Sequence, residues 1–343
     1  MKPAFPEIVG NQTLRERLRD EILNETLSHA YILEGADGSG KHTLALQLSA
    51  ALSCEAKNDP DQPLPCGKCA SCKRILGGHS TDVIYKSRGE KATLGVDVIR
   101  DLKQDIYIPP NDTAVKVYII EDAHLMTDQA QNALLLSLEE PPSYILFLLL
   151  CKNATLLLET IRSRAPTLRT EPIPTAKIGE HLCRTVGEAA ALKQSDPTEF
   201  YEILAAADGS IGSALALLNS KLRRPIIAKR HAAREFVTLC SARHNSVAVL
   251  RFFKALGTKR DELLEQFSSI LLCLRDLLLC KQTENAPLCF FADREEACAL
   301  AYHFTTPELL SLCEQVSRTM DSLRMNANVR LALTALAVNT GLL

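Results

Sequence analysis

The chain has 343 residues, 46% hydrophobic and 23% charged, which is the balance of an ordinary globular protein with room for two or three domains. A formal net charge of −2 excludes a protein that coats nucleic acid through a global basic field, although a local basic patch stays open. No apolar run at the N-terminus suits a signal peptide, and the most apolar stretches, 144–151 and 270–280, are too short or are interrupted by Arg275 and Asp276; a cytoplasmic location without membrane contact is expected.

In chain order, Asn11 is placed to cap a helix whose apolar residues Leu14, Leu18, Ile22 and Leu23 recur at helical spacing. A short strand in HAYILEG, a glycine loop and a helix over 41–52 follow, then a cysteine-bearing insert. Next come a strand in TDVIYK, a helix over 96–107, a strand in VKVYIIED, a helix over 129–138, a strand in YILFLLLC and a short helical stretch over 156–161. Strands that are nearly continuous in apolar residues and alternate with helices predict a parallel sheet covered by helices on both faces, within residues 1–170. The two prolines of TEPIPTAKIGE mark a linker, and the rest reads as helical. In KLRRPIIAKRHAAR and beyond, Lys221, Arg223, Arg224, Lys229, Arg230 and Arg234 read as a solvated helix face, with a DNA-facing surface as the rival.

Residues 35–43, GADGSGKHT, place Gly35, Gly40 and Lys41 in the P-loop pattern between a strand and a helix. Glycines let backbone N–H groups curl around phosphate oxygens, the helix N-terminus adds partial positive charge, and lysine meets the terminal phosphates. The magnesium-binding hydroxyl expected after the lysine is replaced by His42. Thr43 lies one residue further, a rotation of roughly 100° on a helix, and is no equivalent. Glu121 and Asp122 end an apolar strand where metal- and water-orienting carboxylates are needed, but in the order Glu–Asp.

Twelve cysteines without a secretory signal point to free thiols or metal rather than disulfides. Cys54, Cys66, Cys69 and Cys72 form C-x11-C-G-K-C-x2-C, a spacing that can bring four thiolates onto one tetrahedral zinc ion and so predicts a closed, structural site. The other eight read as small buried hydrophobes.

The P-loop, the four-cysteine insert, GVDVIRDL, VYIIEDAHLM, QNALLLSLEEPP and TIRSRA together resemble the gamma/tau and delta-prime subunits of the bacterial DNA polymerase III clamp loader. The resemblance is close over the first 170 residues and extends to DGSIGSALAL near 210 and SLRMNANVRLALTALAV near the end. It implies an α/β AAA+ P-loop module with a zinc-knuckle insert (1–170, insert about 54–72), an all-helical lid (171–222) and an all-helical collar (223–343). The collar would join delta and gamma/tau partners in a hetero-pentameric ring that acts on the sliding clamp and primed DNA. It also implies a nucleotide site from Gly35, Gly38, Gly40, Lys41, Thr43, Glu121, Asp122 and Asn153, with ATP or ADP occupancy left open. Ser163–Arg164–Ala165 is similar to the family's S-R-C motif, which makes Arg164 an arginine finger offered in trans to a neighbouring ATPase subunit. His42, the Glu121–Asp122 order and Gly212, which stands where a motor subunit would carry a sensor arginine, favour the delta-prime type with little or no intrinsic ATPase. The alternative is a gamma/tau-type motor.

Overall fold

The computed structural model describes residues 4–59, 61–241, 246–283, 288–291 and 293–342; the remaining positions of the insert and collar ranges lie outside the described residues. The chain divides into two compact units, 1–173 with Ser210–Gly212, and 174–209 with 213–343.

The first unit contains, in order, α1 (Gln12–Leu23), β1 (Ala30–Glu34), α2 (Lys41–Leu52), α3 (Ala70–Leu76), β2 (Val83–Lys86), α4 (Val96–Asp105), β3 (Lys116–Ile120), α5 (Asp128–Glu139), β4 (Ile145–Cys151), α6 (Glu159–Arg162) and β5 (Thr167–Arg169). The sheet order is β2-β3-β4-β1-β5, every pair parallel. All seven residues of β4 are buried, as a strand covered by helices on both sides requires. Two apolar clusters lie on opposite faces of the sheet: alternate residues of β3 and β4, such as Tyr118 and Phe147 against Ile119 and Leu148, divide between them. Lys116, 4% exposed, begins β3 because its ammonium meets Asp105 at 2.9 Å. Asp82, 1% exposed, accepts the backbone N–H groups of Asn111, Asp112 and Thr113 and the Thr113 hydroxyl at 2.8–2.9 Å. Burial pushes the Asp82 carboxyl up, but these donors outweigh it and hold its pKa below the usual value.

Three sequence expectations change here. Asn11 does not cap α1; it sits in the left-handed region and exchanges hydrogen bonds with the Glu171 backbone. The 156–161 stretch is split into a 3-10 turn at Ala154–Leu156 and the short α6. β5 and α3 were not expected: β5 has only three residues, too few for a period, and α3 is capped by Cys69 within the cysteine insert.

The second unit is helical: α7 (Thr175–Thr185), α8 (Gly187–Ser195), α9 (Pro197–Ala206), α10 (Ile211–Leu218), α11 (Ser220–Ser241), α12 (Ser246–Ala255), α13 (Arg260–Gln282), α14 (Arg294–Tyr302), α15 (Thr306–Arg324) and α16 (Val329–Asn339). The first two residues of α10 belong to the first unit. Leu263, Phe267, Ile270, Leu274 and Leu277 form the buried stripe of α13, packed with α11 and α15 residues in one core. Position 222, the expected lid boundary, falls inside the continuous α11. Asp276, fully buried, accepts the N–H groups of Cys289, Phe290 and Phe291 and folds that segment onto α13.

The basic run of α11 is not simply a solvated face. Arg223 pairs with Glu199 at 2.8 Å, Lys229 with Glu265, and Arg234 with Glu296 at 3.4 Å. Arg230 lies over the Phe290 ring at 4.5 Å and donates to the Cys289 carbonyl. These four side chains hold the helix in its own unit, which leaves Lys221 and Arg224 exposed and weakens the DNA-facing alternative. Among the eight dispersed cysteines only Cys151 and Cys273 are buried, and Cys298 is exposed, so small buried hydrophobe describes a minority of them.

Candidate functional site

The glycine loop joins β1 to α2, with Gly38 and Gly40 at φ of 67° and 88°, a left-handed backbone that glycine adopts readily. Gly35 is required for another reason: a Cβ there would lie 1.9 Å from the Thr170 hydroxyl. Gly40 precedes the first residue of α2, so the helix N-terminus faces the loop and favours anions. Lys41 is 7% exposed and its ammonium donates to the carbonyls of Gly35 and Ala36, both at 2.6 Å. Burial lowers its pKa against the opposing charge of Asp37.

The loop is tied on several sides. Lys152, at the end of β4, pairs with Asp37 at 2.6 Å, and the Thr170 and Ser39 hydroxyls bond at 2.9 Å. The Ser210 hydroxyl donates to the Asp37 carbonyl at 3.0 Å and the Gly212 N–H to the Gly38 carbonyl at 3.1 Å. A Cβ on Gly212 would lie 2.6 Å from the Gly38 Cα. The neighbour is backbone, so any side chain at this position would force the loop or the start of α10 to shift.

His42 and Glu121 meet at 3.3 Å between Nδ1 and Oε1. Thr43 is exposed one residue further along α2. Asp122, at φ 48°, turns to Arg88 at 3.3 Å. Asn153 uses its side-chain oxygen to accept from the Thr155 N–H and hydroxyl, capping a 3-10 turn. His124 leaves a buried Nδ1 without a partner, and burial lowers its pKa. The structure therefore gathers Gly35, Gly38, Gly40, Lys41, His42 and Glu121, while Asp122 and Asn153 are engaged elsewhere. Lys152, Thr170, Ser210, Arg88 and His124 were missed; only the strand-end position of Lys152, next to Asn153, gave a sequence signal.

The four cysteine sulfurs lie within 4.8 Å of one another. Zn–S bonds of about 2.3 Å put tetrahedral thiolates roughly 3.8 Å apart, and Cys66 and Cys72 stand at 3.9 Å. The N–H groups of Cys66, Cys69 and Cys72 each donate at 3.4 Å to the sulfur of the preceding cysteine of the set. Burial pushes the Cys66 thiol up, but N–H donors from Cys69 and Lys68 outweigh it and bring it down to about 7. Burial pushes Cys54 and Cys72 up. The donor set and spacing fit a tetrahedral cation that would compensate those two thiolates.

Arg164 follows α6. Its Nη2 meets Glu139 Oε1 at 2.9 Å and its Nη1 donates to the Thr160 carbonyl at 3.0 Å. The side chain is 36% exposed. Ala165 is fully buried and Arg162 is exposed. Arg169 pairs instead with Glu34 of β1 at 2.7 Å.

A phosphate loop between β1 and α2, an acidic pair after β3, a polar residue after β4 and the order β2-β3-β4-β1-β5 define an AAA+ P-loop module. Residues 10–174 match the family model described as DNA polymerase III, delta subunit. DNA polymerase III subunit tau of Bacillus subtilis is 32% identical over 64% of this chain and 38% of its own length. Subunit gamma of Buchnera aphidicola from Acyrthosiphon pisum is 31% identical over 62% and 57%. A solved gamma subunit-related protein from Thermotoga maritima is 17% identical, covering 95% of this chain and 98% of that one at a TM-score of 0.42. The chain thus spans well under two thirds of the length of these curated relatives. Over residues 10–174 it resembles the DNA polymerase III clamp-loader family. The relatives carry tau and gamma names, so the comparisons do not single out the delta-prime type and suit the gamma/tau alternative at least as well.

Among the described residues no helix is long and apolar enough to cross a membrane.

Proposed function

We propose that this chain is a scaffold-type, delta-prime-like subunit of a clamp loader, working in the cytoplasm in a ring with delta and gamma/tau partners that places a sliding clamp on primed DNA. The observation that carries the scaffold reading is Gly212, packed so closely on Gly38 that a sensor arginine there would have to displace loop backbone. The His42–Glu121 contact supports it, since a histidine replaces the magnesium-binding hydroxyl beside the acidic strand end. In this reading Cys54, Cys66, Cys69 and Cys72 hold a structural zinc ion, and Arg164 is given in trans to ATP bound by a neighbouring subunit. A bound zinc would supply charge compensation and a cross-link, not chemistry.

The second reading, a gamma/tau-type ATP-hydrolysing motor, is favoured by the names of the relatives and by an intact Lys41 in a glycine loop.

A reconstituted loader tests the scaffold role. Arg164→Ala, at a half-exposed side chain, should leave assembly intact yet lower DNA- and clamp-stimulated ATP hydrolysis, with poor rescue by lysine, whose point charge lacks the planar fork. Such fingers are worth roughly 10³–10⁵ in rate in single-site systems, and a ring with several sites should lose less. Full activity of the Arg164→Ala complex would leave the motif structural.

A further inference from the structure

We propose that Glu139 is a positioning residue for Arg164. The inference rests on the reading of Arg164 as a finger in trans.

Glu139 is the last residue of α5, and its place is fixed by Pro141 and Pro142, which follow Glu140 and prevent the helix from continuing. Its carboxylate Oε1 accepts from Arg164 Nη2 at 2.9 Å. The Thr160 carbonyl accepts from Nη1 at 3.0 Å. Two acceptors on two different elements therefore hold the two ends of one planar group. A guanidinium has five N–H donors; with a longer contact from Nη1 to the Ser163 hydroxyl at 3.5 Å, these bonds leave the Nε donor and one hydrogen on Nη2. They also fix the plane in which the remaining donors point.

A long side chain has several rotatable bonds, and ordering it only when a phosphate arrives would oppose the reaction by the lost rotamer freedom. The contact with Glu139 meets that requirement beforehand. The carboxylate also lies beside the C-terminal end of α5, whose partial negative charge reinforces its hold on a cation. The pair is partly exposed, at 36% and 46%, so it is accessible to a neighbouring subunit's site. Glu139 touches neither nucleotide nor reacting atoms in this scheme; it acts through Arg164.

The acceptor geometry, more than the charge, is what orients the group, and this sets the pattern of the test. In the reconstituted loader, Glu139→Ala should lower kcat for ATP on the order of fivefold at nearly constant KM, a typical coupling for directly bonded residues. Glu139→Gln, which keeps an acceptor oxygen, should recover most of the loss. Glu140→Ala removes the same charge from the adjacent position and should have little effect. In an Arg164→Ala background Glu139→Ala should cause no further loss. Size and thermal midpoint of each complex establish that it is assembled. If Arg164→Ala lowers activity but Glu139→Ala is neutral, stimulates, or adds a separate loss in the Arg164→Ala background, the positioning role is overturned and the finger stands. If Arg164→Ala is itself neutral, the finger reading fails and the positioning role falls with it.

Discussion

The cysteine knuckle and the phosphate loop lie in the same compact unit and are both built from residues that the sequence marks as ligands, yet they end in opposite conditions. In the knuckle all four sulfurs converge within 4.8 Å, with N–H groups directed at three of them. In the loop the corresponding groups already have other partners: Lys41 with loop carbonyls, His42 with Glu121, Asp122 with Arg88, Asn153 with its own turn, and Gly212 with Gly38. Residue type at the right spacing is enough when a site closes on itself over a short segment. It is not enough when the site is assembled from strand ends far apart in sequence, because each distant group can find another partner.

The largest effect is expected at the knuckle. Cys72→Ser, at a fully buried position, should abolish zinc content and destabilise the first unit by on the order of several kcal/mol, since metal binding and folding are coupled. Elemental analysis with thermal denaturation checks this, and unchanged metal content would separate the cluster from any ion.

Two smaller effects sharpen the contrast in the remainder of the first unit. Gly212→Arg should destabilise by about 1–3 kcal/mol through overpacking against Gly38, measured by denaturant unfolding, and should not create ATP turnover. A gain of turnover would mean that the loop accepts the arginine. Asp82→Asn should cost about 1–3 kcal/mol, because an amide cannot satisfy all four donors. The Asp82 pKa is depressed on folding. Its contribution is therefore fully present above the unfolded value of about 3.9 and is lost as pH falls through the lower folded value. The wild-type stability should fall more steeply with acid than that of Asp82→Asn, and parallel pH profiles would contradict this.

Much of the fold was legible because its signals are local. β4 is a continuous apolar run, and α2 begins at Lys41 because Gly40 bends the chain. The cysteine set was legible for the same reason: three of its members lie within seven residues. What could not be read depends on approach between distant segments. Asn11 reaches Glu171 instead of capping its own helix, β5 exists only because β1 offers an edge to Ile32–Glu34 partners, and Arg230 looks like any surface arginine until Phe290 is placed beneath it. The closeness of Gly212 to Gly38 belongs to this second kind, and so does the Arg164–Glu139 bond.

Steady-state ATP hydrolysis by the purified chain decides whether the phosphate loop is a motor site. Turnover should stay at background level, unchanged by Lys41→Ala, since loss of even one transition-state contact lowers rates by on the order of a hundredfold and the scaffold reading lacks several. Robust turnover that Lys41→Ala abolishes would instead identify the chain as a gamma/tau-type motor.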